Sequence, residues 1–386
     1  MLTVSDKDAT TILQFFDELP DPRSEINRWH RLGDVIVIAI CAVLANCDGP
    51  TAIAKWAGLN EMWLQKHLAL PNGVPAKDTY RRVLSLLDPR TFQQCFSQWI
   101  DSLSFLTDEE QAEHKKHIAI DGKALRRSHD RKKGLGALFI VSAWASDQGL
   151  SLGQVSTEEK SNEITAIPEL LDQIDFKDAI ITIDAAGCQK NIAEQIVDGG
   201  GDYVLALKKN HPTLHEEVQS FFVDQLQDDF AHCPVSRYEE SETSHGRAEH
   251  RTYDQVTAPK GLYGRADWPG LKTIGIALLT YEQDGVEKMD FRVYLSSLRR
   301  NGKQFGHAVR GHWGIENSLH WCLDMTYRED ESRVRNRNFA DNLSWLRRLT
   351  LSLIKQHPGK ESNIMKRRMA GWSVDYLLQI LTGKHT

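Results

Sequence analysis

Residues 179–187 read AIITIDAAG, and no other stretch restricts the fold as much. The run is too short for a helix and rich in β-branched residues, which predicts a strand. It lacks the polar alternation of a half-exposed strand, so both faces must be covered, and that requires a sheet with helices on each side. The flanking sequence supplies one. HIAID at 117–121, ALFIVSAWA and LSLGQVS read as three successive strands, EITAIPELLDQI and QKNIAEQIVDGG as helices, and YVLAL as a further strand. That order is the order of a mixed α/β sheet flanked by helices.

Open α/β sheets collect ligand-binding groups at the carboxyl ends of their strands. Two strands here run into an acid there, Asp121 and Asp184. The plainer alternative for Asp121-Gly122 is an ordinary hairpin turn. For Asp184 it is a helix cap, but five residues separate it from the helix expected near Gln189, so capping falls to its neighbours. Lys123, Arg126 and Arg127 follow Asp121 at once, and the turn Lys208-Lys209-Asn210 follows YVLAL. An acid among cations suits a metal and a polyanion together.

A chain of 386 residues has room for two or three units, and 41% hydrophobic with 26% charged residues is a soluble globular composition. Its longest apolar stretch, Val35 to Cys47, is shorter than the roughly 18 residues a membrane span needs. Met1 to Thr11 is polar where a leader would be apolar, so a cytoplasmic, nucleoid-associated protein without membrane contact is expected. Six cysteines with no Cys-x-x-Cys pair fit reduced thiols better than a zinc ribbon or a disulfide framework. The net charge of −6 conceals an asymmetry, because 16 basic and 8 acidic residues lie from Arg299 onward against 31 and 45 before it. A localised basic excess is how a polyanion site looks in sequence.

Residues 1–110 read as a helical N-terminal unit of near-balanced charge, with Arg81 and Arg82 its best candidates for DNA contact. Residues 111–210 hold the strands and helices above, 211–300 a β-rich insertion, and 301–386 basic C-terminal helices. His211 and His215, beside Glu216, fit one helix face better than a metal set. In GHWGIENSLHWCLD the residues His312, Glu316, His320 and Asp324 recur every four and predict one polar helix stripe, with Trp313, Leu319 and Leu323 on the buried side. His312 and His320 lie eight residues apart, about 12 Å along a helix, too far to share a zinc ion. Beyond them Arg333, Arg335 and Arg337, then Lys366-Arg367-Arg368, suit phosphate contacts.

These segments together resemble the H-repeat-associated insertion-sequence transposases of the DDE superfamily. The resemblance spans nearly the whole chain. It is carried by DPR near residue 22, LLDPRTFQQCFSQW, HIAIDGKALRRS, EEKSNEITAIPELL, TIDAAGCQKNIAEQI, GGDYVLALKKNH, HWGIENSLHWCLDMTYRED and RVRNRNFADNLSWLRR. It implies a ribonuclease-H-like mixed sheet flanked by helices, with Asp121, Asp184 and Glu316 as its acidic triad and the β-rich insertion between the second and third acids. It also implies double-stranded DNA as partner, both terminal repeats and target, and a homodimer on that DNA. Related families set Tyr, Arg and Lys around the glutamate as Tyr-x2-Arg-x3-Glu-x6-Lys; here Val309, His312 and Leu323 stand at those places. Phosphate gripping would then fall to His312, or to Arg310, Lys208 and Lys209.

Two divalent ions, Mg²⁺ or Mn²⁺, can make one oxygen nucleophilic and stabilise another as it leaves, and carboxylates are their fitting ligands. Without ions, three close carboxylates repel and at least one pKa should rise. The expected reaction is cleavage by water at the element's end, then attack of the freed 3′-hydroxyl on target DNA. The alternatives are a DNA-binding remnant without chemistry and a metal nuclease that cuts without joining.

Overall fold

The structure, a computed structural model, describes residues 13–101, 115–158, 162–244, 247–283 and 286–383. The polar opening stretch and the boundary expected near residue 110 lie outside the described residues. The first part is helical: α1 (Leu32–Leu44), α2 (Pro50–Leu59), α3 (Glu61–Leu64), α4 (Lys77–Leu86) and α5 (Pro89–Asp101). α1 is apolar on every side and buried almost throughout, as a helix of that composition must be.

The sheet follows as β1 (His117–Leu125), β2 (Leu138–Ala145) and β3 (Leu150–Thr157), an antiparallel meander. The helix α6 (Glu163–Leu171) then crosses to β4 (Ile180–Ile183), and α7 (Lys190–Asp198) to β5 (Asp202–Leu207), both strands parallel to β1. The strand order β3-β2-β1-β4-β5 makes this a ribonuclease-H-like mixed α/β core. All four β4 residues are buried. Ile181 and Ile183 pack with Ile167 of α6 and Ile192 of α7, while Ile180 meets Phe305 and Val309 on the opposite side.

After α8 (Pro212–Gln227) come β6 (Val235–Ser244), β7 (Arg247–Thr257), β8 (Thr273–Gln283) and β9 (Val286–Ser296). These four strands extend the same sheet. β9 pairs with β5 through Val204↔Ser296 to Leu207↔Val293, giving nine strands ending β5-β9-β8-β7-β6.

The chain closes with α9 (Gly302–Gly314), a π-helical turn (Ile315–His320), α10 (Trp321–Met325), α11 (Arg337–Gln356), α12 (Asn363–Trp372) and α13 (Val374–Thr382). α11 is buried from Phe339 to Ile354 and shares one hydrophobic core with the N-terminal helices. The N-terminal and C-terminal helices therefore wrap a common centre.

Candidate active site

Alternation along a strand decides which side of the sheet each group faces. Ile118, Ile120, Ile181 and Ile183 lie in the core under α6 and α7. Asp121, and Asp184 just past β4, therefore face the other side, toward α9 and the π-turn. Parallel pairing of β1 with β4 ends at Ile120↔Ile183, so each acid directly follows the last paired residue. β1 itself runs on to Leu125, pairing with β2, so Asp121-Gly122 is not a hairpin turn. Beside Asp121 the sheet loses a strand, which opens a notch at the carboxyl end of β4.

Asp184 is partly committed to its own turn, because Oδ1 accepts the Ala186 N–H (2.9 Å) and the Gly187 N–H (3.4 Å). Asp184 thus closes a turn of its own and does not cap α7, whose N-cap is Gln189, as the spacing led one to expect. Asn210 and His211 brace that turn from behind: Asn210 Nδ2 donates to Ala185 O (2.7 Å) and His211 Nε2 sits 2.7 Å from Cys188 O. His211 thereby has a structural role that its spacing to His215 did not disclose.

The late helix meets β1 and β4 residue for residue. His312 Nδ1 lies 3.1 Å from Thr182 Oγ1, His320 Nδ1 lies 3.5 Å from Asp121 Oδ2, and Asp324 Oδ1 lies 2.7 Å from Lys123 Nζ. Glu316, on the π-turn, is exposed. Burial and the neighbouring Arg348 and Lys123 push His320 down to about 3, and burial pushes His312 down to about 4 against the pull of Asp184, so both rings are neutral near pH 7. A second ring, His117, shares the Thr182 hydroxyl (2.9 Å).

Asp121 carries the strongest electrostatic signature among these acids. Burial pushes its carboxyl up to about 7, outweighing the Gly122 N–H, and Asp184, Glu163 and Glu316 add repulsion. Asp184 and Glu316, from distant segments, thus both act on Asp121. Glu163 comes from the other face of the sheet, where a Cβ on Gly122 would lie 2.7 Å from its Oε1, so glycine at 122 makes room for it. Behind the acids is a buried ionic cluster. Burial raises the Glu329 carboxyl, but Arg348 (3.1 Å), Lys123 (3.6 Å) and Arg347 (3.9 Å) overcome that and hold it at about 2.

The family described as "Transposase DDE domain" matches residues 98–353, and "DDE_Tnp_1-associated" matches 13–100. "Putative transposase YncI" of Escherichia coli O157:H7 is 37% identical over 96% of this chain and 94% of its own. "H repeat-associated putative transposase YhhI" of Escherichia coli K12 is 35% identical over 96% and 98%. The chain belongs to the H repeat-associated DDE transposases. Among solved structures, a piggyBac transposase synaptic complex with hairpin DNA covers 97% of this chain and 80% of that one at 13% identity and a TM-score of 0.40, too remote a likeness to carry an argument.

Several of the residues expected to contact DNA have partners within the fold. Lys123 is 9% exposed and held by Asp324, Glu329 and Asp330, because it shares the face of Asp121 and points under the late helix. The half-buried His312 ring is neutral and bonded to Thr182, so it offers no charge to a phosphate. Arg337 bonds Glu158 (2.6 Å) and Gly136 O (2.9 Å), tying the 128–136 loop to α11. Arg310 is bound to Glu242 (2.8 Å). Lys366 and Arg367 are buried, and Arg367 bonds Asp48 while lying 3.8 Å over the Tyr327 ring. Arg127, Lys208, Lys209, Arg333, Arg335 and Arg368 are exposed, as is Arg126, which also touches Asp330 (3.1 Å).

The donor set fits hard divalent cations: it is all carboxylate oxygen, and the negative charge gathered at Asp121 is what a cation would offset. Among the described residues, no group of three or more His, Cys, Asp or Glu is close enough to hold one ion. Among the described residues no helix is long and apolar enough to cross a membrane.

Proposed function

We propose that this chain is the DNA transposase of an insertion sequence, cutting element ends and joining them to target DNA with Asp121, Asp184 and Glu316 as metal-holding acids. The observation that carries the reading is the adjacency of Asp121 and Asp184 past the last β1–β4 pair, with Glu316 within electrostatic reach. The ions, when bound, would activate the attacking oxygen and stabilise the leaving one. The chain's own contribution is positioning. Asn210 and His211 fix the turn that aims Asp184, and His320 touches Asp121 as a neutral ring. The Lys123–Glu329–Arg348 cluster anchors the late helix on β1 without adding a free charge. The partners are double-stranded DNA, as terminal repeat and as target, and a second copy of the chain that pairs two element ends.

A strand-transfer assay with labelled element ends and Mg²⁺ or Mn²⁺ tests this. Joined products are expected. Cut but unjoined ends would reduce the function to a metal nuclease, and shifted but intact DNA would leave only a binding protein.

A further inference from the structure

A second feature lies apart from the acids, on the side where the N-terminal helices meet the C-terminal region. A cleft of about 1050 Å³ is lined by residues 46–52 leading into α2, by Lys77, Asp78 and Arg81 of α4, and by the 327–336 loop that enters α11. Helices of 10, 10 and 20 residues start at the cleft, with Pro50, Lys77 and the α11 N-cap Asn336 on its wall, so their positive ends converge there.

The charges lining it are unequal. Each acid on the wall already has a cation: Asp48 has Arg367 (3.0 Å), Asp78 has Arg81 (3.1 Å) and Glu331 has Arg328 (2.6 Å). Lys77, Arg333 and Arg335 are exposed on the same wall with no ion pair among the described residues. The deepest cation is Arg347, 3% exposed, whose Nε is buried without a hydrogen-bond partner. A buried guanidinium N–H without an acceptor is costly unless a ligand supplies one. Glu329 lies between the cleft and β1, 3.9 Å from Arg347 and 3.6 Å from Lys123, which stands two residues beyond Asp121.

We infer that this cleft is a sequence-independent binding site for the phosphate backbone of double-stranded DNA, formed jointly by α2, α4 and the 327–336 loop. The inference rests on the transposase reading. It locates the DNA path leaving the acids, and assigns it to a seam between the first and last parts of the chain. Phosphate oxygens accept from Lys77, Arg333 and Arg335, and the converging helix starts add backbone N–H donors. The site carries no base readout, since cations and helix ends position a duplex without reading it.

The test is fluorescence anisotropy of the full chain with a labelled duplex lacking element ends, titrated at several salt concentrations. Replacing Lys77, Arg333 and Arg335 together by alanine removes three exposed side chains that make no ion pair or side-chain hydrogen bond among the described residues. The dependence of log affinity on log salt is expected to flatten by about 3, and affinity at 0.1 M salt to fall at least about tenfold. A control with Lys177, Lys260 and Lys288 changed to alanine separates a local site from general charge, and should leave the slope within about 1 of wild type. An unchanged slope in the cleft variant, or an equal loss in the control, overturns the inference. An unchanged slope beside normal cutting of element ends sinks the cleft alone. Binding through the cleft by a wild-type chain that never cuts sinks the catalytic reading alone.

Discussion

At the scale of residues, the site places charge where water is scarce. Asp121 holds its proton up to about pH 7 against a usual value of 3.8, so its effect on stability has a definite sign. Its contribution is fully present below about pH 4 and is lost as pH rises through 7, because the fold then carries an ionised, repelled carboxylate. Asp121→Asn should therefore stabilise the metal-free protein by about 4 kcal/mol at pH 8 and by nothing at pH 4, read from urea unfolding in EDTA. A gain that does not depend on pH would contradict this. Glu329 is the opposite case, a buried carboxylate that three cations require. Glu329→Ala should cost about 3 to 5 kcal/mol in the same measurement, since it leaves buried charge uncompensated; a cost near zero would show the cluster to be dispensable. Asp121 and Asp184 were legible in the sequence because apolar strands run straight into them. Lys123 was not, since its partner Asp330 lies 207 residues further along the chain. The two arginines in SWLRRLTLSLI were the available sign of a buried ionic cluster, being charges in a run otherwise apolar enough to be enclosed.

At the scale of elements, the decisive device is the π-turn at Ile315–His320. Four residues of α-helix turn through about 400°, so a stripe repeating every four drifts by about 40° per step. A turn with i→i+5 bonds winds more slowly and takes up that drift. This is how His312, His320 and Asp324 all reach the sheet. Deleting Ser318 should return the segment to α geometry and rotate Glu316 relative to His320 by about 100°. The expected outcome is loss of end cleavage with duplex binding retained; cleavage at the wild-type rate would show that the π-turn does not position Glu316. The four-residue spacing was visible in sequence, whereas the winding that makes it useful was not. The β6–β9 strands were likewise readable as β-structure, but their union with the sheet depends on the β5–β9 pairing between residues some 90 apart.

At the scale of the molecule, one sheet and one shared helical core bring together segments from both ends of the chain. The N-terminal helices read as a separate unit from their own periodicity. Their packing on α11 could not be read, because it is a property of two surfaces and no local pattern records it. That packing forms the basic cleft and sets it beside the strand that carries Asp121. We propose that Asp121, Asp184 and Glu316 perform the phosphodiester chemistry. This is tested most directly by metal-dependent cleavage of a labelled element end by Asp121→Asn, Asp184→Asn and Glu316→Gln, with duplex binding measured alongside. Each variant should lose cleavage by at least about 100-fold without weaker binding. Full-rate cleavage by any one of them would contradict the account.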